Sequence, residues 1–301
     1  MNLGHNKTVG IVGIGMLGAG ITERLIDQGT RINIYNRDKT KLEYFENLGA
    51  RSFDNPCSLA NESDCIITCV TNFESLKDVL FDKQGIVESH NSELIIADCT
   101  TIRPDQSSYC SKLLKEKKGM ALLSAPVMGG PSDAKNGELI AMICGDKKSF
   151  EKMYSTFNKI SRHIFYLGED NGTSNSIKLA LNLNIAIISL AFSEGIIFAI
   201  HSGVDPETYL NIFNHTKLKT GISENKGLKI LKNDFSPSFF LKNMLKDLDL
   251  VMEDSQSLQI SLPITSLSQQ LFRAASNCND LKDKDYSAVF QFLDKLNKSY
   301  N

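Results

Sequence analysis

The sequence has little net charge and no long run of basic residues. Its 33 lysines and arginines are balanced by 35 aspartates and glutamates, which gives a formal net charge of -2 over 301 residues. Such a chain has no long-range field that would gather nucleic acid, so a bound anion has to be held by a local site. We therefore expect no nucleic-acid partner.

The cysteines lack any regular arrangement. They are seven, an odd number, and no Cys-x-x-Cys pair occurs among them. This pattern suggests neither a zinc knuckle nor a disulfide framework, so we expect reduced thiols and no metal site.

The sequence also lacks the features of an export signal or a membrane anchor. The opening MNLGHNKT is polar, without a basic segment followed by an apolar core, which predicts a cytoplasmic protein. The longest apolar segment, residues 177–200, contains Lys178, Asn182 and Glu194 within the span a bilayer would need. We interpret it as a buried helix, and we expect no membrane partner.

The chain divides into two halves of different character. Through residue 168, short apolar runs such as TVGIVGI, RINIYNR, DCIITCVT and ELIIADCT alternate with helical patterns. This predicts an α/β fold, a doubly wound parallel Rossmann sheet over residues 1–168. Residues 169–301 have helical spacing and no convincing strand, which predicts an all-helical second domain that begins with a long interdomain helix. A cleft between the halves is the expected place for chemistry.

A glycine-rich stretch follows the first predicted strand. Gly13-x-Gly15-x-x-Gly18 lies between a strand pattern and a helix pattern, the context in which this spacing indicates dinucleotide binding. The exposed amides at such a helix start can carry a pyrophosphate. We assign the whole turn to the cofactor: Gly13, Ile14, Gly15, Met16, Leu17 and Gly18.

The end of the second predicted strand distinguishes between cofactors. An acidic residue here would bind the adenosine ribose, whereas this chain has Asn36 followed by Arg37. A guanidinium suits a phosphate dianion, so NADP(H) is favoured over NAD(H). The alternative is that Arg37 only faces solvent beside Asp38.

A lysine lies within the apolar helical segment. Lys178 and Asn182 are four residues apart and share one helix face. From the pattern alone, this face is either a solvated stripe or a functional pair.

Four motifs, in order, resemble the β-hydroxyacid dehydrogenase family over nearly the whole chain. They are GIVGIGMLGAGI at 10–21, DCTTIRP at 98–104, APVMGGPSDAKNGEL at 125–139 and IKLALN at 177–182, and KDLDLVMED at 246–254 resembles a later family helix. Within the family the sequence looks most like the glyoxylate/succinic semialdehyde reductases. 3-Hydroxyisobutyrate dehydrogenase is the alternative.

The resemblance implies roles for individual residues. Lys178 would be the general acid in reduction and the general base in oxidation, with Asn182 beside it. The substrate would contact Met128, Gly129, Gly130 and Thr101, with its carboxylate on the loop amides. The cofactor would contact Thr71, Asn72, Thr100 and Lys246. The plainer alternatives are that Thr100 and Thr101 cap a helix, Gly129 and Gly130 make a turn, and Lys246 forms a surface ion pair.

One departure from the family pattern affects the substrate. Met128 stands where the family loop often has serine, so a hydroxyl is absent and a less polar pocket is expected. The leading hypothesis is an NADP-linked reductase of a small aldehyde acid, acting on a small carboxylate and assembled as a homodimer or homotetramer. An alternative of another class is a non-catalytic NADP-binding interaction module, which retention of Lys178 disfavours, as it disfavours an imine reductase.

Overall fold

The computed structural model describes residues 7–278 and 280–298, and it separates into two compact units, residues 1–178 and 179–301. The division lies ten residues beyond the predicted boundary at 168/169, inside a long helix. It falls there because the first two turns of this helix hydrogen-bond to the first unit.

The first unit contains a six-stranded sheet in which every neighbouring pair is parallel. The strand order is β3-β2-β1-β4-β5-β6. The strands are β1 (Thr8–Val12), β2 (Arg31–Tyr35), β3 (Arg51–Ser52), β4 (Cys65–Thr68), β5 (Ile95–Asp98) and β6 (Ala121–Ser124). All residues of β4 and β5 are buried, as the continuous apolarity of these segments predicts.

Helices cover both faces of this sheet. They are α1 (Met16–Asp27), α2 (Glu43–Asn47), α3 (Pro56–Asn61), α4 (Phe73–Phe81), α5 (Pro104–Lys118), α6 (Pro131–Asn136) and α7 (Lys147–Ile160). Ile67, Ala97 and Leu123 point into the core that contains α1 and α7, and their neighbours Ile66 and Ile96 point into the opposite core. The doubly wound prediction is confirmed.

Three further strands form a separate small sheet. They are β7 (Val127–Met128), β8 (Leu139–Ile143) and β9 (Ser161–Tyr166), with β8 antiparallel to β7 and parallel to β9. The predicted strands at the end of the first half therefore do not extend the large sheet. The short segment that contains α6 connects β7 to β8, which are antiparallel. Parallel neighbours would need a longer crossover connection.

The second unit is helical throughout its described residues, as predicted. Its helices are α8 (Asn171–His201, which starts in the first unit), α9 (Pro206–His215), α10 (Gly221–Leu231), α11 (Leu241–Ser257), α12 (Pro263–Asn277) and α13 (Val289–Lys298). Among the described helices, α8 is long and apolar enough to cross a membrane by length and composition, a test that core helices also pass. Ala186, Leu190 and Ile196 of α8 are buried in the core of the second unit, consistent with the predicted core helix.

Candidate active site

Two glycines of the first loop are required by packing. Gly13 has φ +99°, and a Cβ there would lie 2.4 Å from the carbonyl oxygen of Cys69. A Cβ on Gly18 would lie 2.0 Å from the carbonyl oxygen of Gly13. Only glycine fits at these two positions, so they allow β1 to enter α1 through a tight turn.

Gly15 differs from both of these glycines. It is the exposed N-cap residue of α1, makes no side-chain cap, and a Cβ there would meet nothing within 4 Å. The first turn of α1 contains no acidic residue. The open amides and the positive end of this 12-residue helix are suited to an anion.

A cavity of about 440 Å³ opens beside this loop. Five of the predicted cofactor residues line it: Gly13, Gly15, Asn36, Arg37 and Thr71. Of the other predicted residues, Ile14 and Gly18 are buried, and Lys246 belongs to the second unit. Since β1, β2 and β4 are parallel, the loops that line the cavity follow the carboxyl ends of their strands, where α/β sheets bind ligands.

The residues after β2 fix the shape of this cavity and its charge. The side chain of Asn36 accepts a hydrogen bond from the Ile14 amide at 2.9 Å and donates to the Asp38 carbonyl at 2.8 Å, so it ties the glycine loop to β2. The carboxylate of Asp38 is bonded to the hydroxyl of Thr40 at 2.7 Å. Arg37 and Lys41 both line the cavity, and so do Asp38, Asp78 and Asp82.

Two predicted contacts have other partners in the structure. Asn72 is the N-cap of α4, where its side chain accepts from Ser75 at 3.0 Å. Thr100 is 1% exposed, and its hydroxyl accepts from the Val70 amide at 3.3 Å. Neither Thr100 nor Thr101 caps the next helix, since the N-cap of α5 is Arg103. The side chain of Thr100 is therefore enclosed by protein, and the contact of this residue with a cofactor stays a prediction.

Asp98 holds the segment that contains Thr100. Its Oδ1 accepts from the Thr68 hydroxyl at 2.7 Å and from the Thr100 amide at 3.1 Å. Burial raises the pKa of Asp98 to about 6, although these hydrogen bonds act in the opposite direction. The carboxyl group therefore titrates within the fold, next to the cavity residues that follow β4.

A buried polar network anchors the start of α8. Asn175 donates to the Ile102 carbonyl at 3.1 Å and bonds to the hydroxyl of Ser124. Ser174 also bonds to that hydroxyl, at 2.8 Å. Ile102 follows β5 and Ser124 ends β6, so the network fixes α8 at the carboxyl edge of the large sheet.

The predicted catalytic lysine lies on the next turn of the same helix. Lys178 is half-buried, and its Nζ lies 3.3 Å from the Sδ of Met128. The motif at 125–139 and Lys178, at the start of the motif at 177–182, are thus brought together within the first unit. Sequence reasoning did not identify Asn175, although its position three residues before Lys178, inside an apolar helix, is a usable signal.

The loop after β7 is closed by one of its own side chains. Gly129 has φ +124°, and a Cβ there would lie 2.8 Å from the Cδ2 of Leu139. The amide of Gly130 donates to the Oδ2 of Asp133 at 2.6 Å. The carboxylate of Asp133 thus occupies the Gly130 amide in this structure, and the contact of a substrate carboxylate with these loop amides stays a prediction.

Asn182 and Lys246 share one buried carboxylate in the second unit. The Nδ2 of Asn182 donates to Asp247 Oδ2 at 2.6 Å, and the Nζ of Lys246 lies 2.7 Å from Asp247 Oδ1. Asp247 is 1% exposed, so this is not the surface ion pair considered from the sequence. The missed residue is Asp247, and its place beside Lys246 in the motif at 246–254 was the available signal.

Metal ligands do not assemble in the part of the chain that the structure describes. No group of three or more His, Cys, Asp or Glu side chains there could hold a metal ion.

Comparison with known proteins identifies the family in both halves of the chain. A family model described as the NAD binding domain of 6-phosphogluconate dehydrogenase matches residues 8–168. A second, described as NAD-binding of NADP-dependent 3-hydroxyisobutyrate dehydrogenase, matches residues 172–293.

Curated relatives align over almost the whole chain. Glyoxylate/succinic semialdehyde reductase 2 of Arabidopsis thaliana is 29% identical over 95% of this chain and 79% of its own length. The cytokine-like nuclear factor N-PAC of Anopheles gambiae is 30% identical over 93% of this chain, which spans only 49% of that longer protein. The chain thus spans about half the length of such relatives.

Solved structures have the same fold at low sequence identity. The 3-hydroxyisobutyrate dehydrogenase of Salmonella typhimurium superimposes with a TM-score of 0.87 at 22% identity, covering 95% of this chain and 99% of that one. The Mycobacterium tuberculosis enzyme of the same name gives 0.83 at 21% identity, covering 96% and 99%. With the family models, the dinucleotide loop and the lysine helix, the chain belongs to the β-hydroxyacid dehydrogenase family of NAD(P)-dependent oxidoreductases.

Proposed function

We propose that this chain is an NADP-dependent oxidoreductase that interconverts a small aldehyde acid and the corresponding hydroxy acid. The observation that carries the proposal is the placement of Lys178. Its helix is bonded to the ends of β5 and β6, at the edge of the sheet where the glycine loop opens. The reductase names of the Arabidopsis relatives support a glyoxylate or succinic semialdehyde reductase, and 3-hydroxyisobutyrate dehydrogenase is the alternative.

The residues around the cavity fit a phosphorylated dinucleotide. Gly15 leaves open the space that a Cβ would fill at the start of α1, and the cations Arg37 and Lys41 line the same cavity. When bound, the nicotinamide supplies the electron pair for reduction. The start of α1 would hold the pyrophosphate, and Arg37 would hold the additional phosphate.

Lys178 and Asn182 would carry the proton chemistry. The ammonium group of Lys178 donates a proton to the substrate oxygen in reduction, and the neutral amine accepts it in oxidation. Asn182 lies one helical turn further along α8. In this proposal the Oδ1 of Asn182 accepts from the substrate hydroxyl, while its Nδ2 donates to Asp247.

The activity is tested by a screen of NADPH oxidation with glyoxylate, succinic semialdehyde, methylmalonate semialdehyde and tartronate semialdehyde. Lys178→Ala should lower kcat/KM on the best substrate by about 10²- to 10⁴-fold, because a general acid is lost. Lys117→Ala, at an exposed position of α5, is the matched control and should retain the wild-type rate. Near-wild-type turnover of Lys178→Ala would refute the mechanism.

Cofactor preference requires a separate test. Arg37→Ala should weaken NADPH binding by about 10- to 100-fold and leave NADH binding within about twofold, since a charged hydrogen bond contributes roughly 1.5–3 kcal/mol. Arg51→Ala, an exposed arginine paired with Glu62, controls for the loss of positive charge. Equal affinity of the wild type for NADPH and NADH would contradict the assignment.

The second candidate function is a non-catalytic NADP-binding interaction module, which the relatives named N-PAC favour. Under this hypothesis the protein binds NADPH but oxidises it with none of the four aldehydes. NADPH binding without turnover of any of these aldehydes would therefore distinguish this function from the reductase.

Location and assembly complete the proposal. We place the protein in the cytoplasm as a homodimer or homotetramer. Phe198, Leu218 and Leu267 in the second unit are 76%, 66% and 60% exposed, and apolar side chains of this size favour association. Light scattering after gel filtration would measure the mass, and a monomer at micromolar concentration would contradict the assembly.

A further inference from the structure

Met128 lies directly against the proposed proton donor. Its Sδ is 3.3 Å from the Nζ of Lys178, and both residues belong to the first unit. A proton donor lies within about 2.6–3.2 Å of the oxygen it protonates. The reacting oxygen therefore lies no more than roughly 6.5 Å from the sulfur of Met128, which is close enough for the next carbon and its substituents to contact the thioether.

The backbone fixes Met128 in this place. Its strand is paired with β8, with Met128 opposite Ile140. The preceding Val127 is buried in the core, so alternation along the strand directs Met128 to the other face. Gly129 follows in a positive-φ conformation with no room for a side chain. The strand pairing before Met128 and the glycine after it therefore restrict the position of the thioether.

A thioether interacts differently with methyl and hydroxyl groups. It is polarisable and apolar, and it is only a weak hydrogen-bond acceptor. A methyl group packed against it gains burial, whereas a hydroxyl loses hydrogen bonds to water without an equivalent partner. The nearby amide of Gly130 does not compensate, because it already donates to Asp133 at 2.6 Å.

We propose that Met128 is a specificity-determining residue that selects acids with a methyl or methylene group, rather than a hydroxyl, on the carbon next to the reacting carbon. The inference rests on the proposed function of Lys178 as the proton donor. Among the four proposed aldehydes it favours succinic semialdehyde and methylmalonate semialdehyde, which are apolar at this carbon, over glyoxylate and tartronate semialdehyde.

Two stable acids isolate this one substituent. 3-Hydroxyisobutyrate and glycerate differ at the second carbon by a methyl or a hydroxyl group. Each acid is assayed with NADP⁺ as the enantiomer in which the methyl or hydroxyl group has the same position in space. The measurements are kcat/KM and the affinity of each acid for the complex of the protein with NADP⁺. The variants are Met128→Ser, Met128→Leu as the apolar control, and Lys178→Ala.

The wild type should favour 3-hydroxyisobutyrate by about tenfold or more, within the roughly 10²-fold that an apolar pocket achieves against an added hydroxyl. Met128→Ser should shift this ratio at least about tenfold towards glycerate, and Met128→Leu should keep it within about threefold. An unchanged ratio in Met128→Ser, an equal shift in Met128→Leu, or binding of neither acid would overturn the inference.

Failure of the underlying function gives a different result. Lys178→Ala should lose turnover of both acids while keeping their affinity ratio. If Lys178→Ala retains turnover, the proposed mechanism fails. If Lys178→Ala loses turnover but the preference between the two acids does not change in Met128→Ser, the specificity assignment alone is wrong.

Discussion

Two glycine-rich loops of the first unit look alike in sequence but differ in structure. Each follows a strand and leads into a helix, with Gly15 or Gly130 as the N-cap residue. At α1 the cap has no side-chain partner and opens on a cavity. At α6 the carboxylate of Asp133 occupies the cap amide. The comparison teaches that a helix start stays open to an external anion where the chain supplies no anion of its own.

The largest expected effect is on stability, and it distinguishes alanine substitutions at two glycines of the first loop. Gly18→Ala should destabilise the protein by about 3 kcal/mol or more, because its Cβ would meet the Gly13 backbone at 2.0 Å. Gly15→Ala should change stability by less than about 1 kcal/mol yet lower nucleotide affinity at least tenfold, since its Cβ enters the open cradle. Thermal unfolding and NADPH fluorescence titration measure the two effects, and the reverse pattern would contradict the anion cradle.

The next effect concerns the buried carboxyl group of Asp98. Its pKa in the fold is raised to about 6 from an ordinary value of 3.8, so the folded state binds the proton more tightly than the unfolded state. The stabilising contribution of Asp98 is therefore complete below pH 4 and is lost as the pH rises through 6, an amount of about 3 kcal/mol.

Asp98→Asn retains an oxygen acceptor for Thr68 and Thr100 and does not titrate. The stability of the wild type relative to Asp98→Asn should therefore fall between pH 4 and pH 6.5. Urea unfolding of both proteins across this range measures the difference. A constant difference would show that the buried carboxyl does not titrate there.

The smallest effect tests the second loop directly. Asp133→Ala frees the Gly130 amide and removes a negative charge, so KM for a carboxylate substrate should fall about threefold. The loss of the cap should destabilise the protein by about 1 kcal/mol.

Asp146→Ala is the matched control, because Asp146 caps the Ser149 amide of α7 at 2.7 Å. Asp146→Ala should destabilise the protein about as much as Asp133→Ala and leave KM unchanged. A raised KM in Asp133→Ala would instead assign Asp133 a direct part in substrate binding.

The sequence by itself determined the family and the fold class, a Rossmann sheet followed by helices. Apolar strands buried on both faces, glycines required by close approach and a lysine in an apolar helix are local patterns with few physical solutions. The glycine loop and Arg37 beside the cavity follow from them, whereas the contact between Lys178 and Met128 came only from the structure.

Only the tertiary structure decided how polar groups are paired. The bond from Asp133 to Gly130, the enclosure of Thr100 and the sharing of Asp247 by Asn182 and Lys246 are choices among several available partners. The small sheet of β7, β8 and β9 likewise depends on where three short strands meet. Hydrogen-bond partners distant in sequence are selected by the whole packed chain, and no local pattern specifies them.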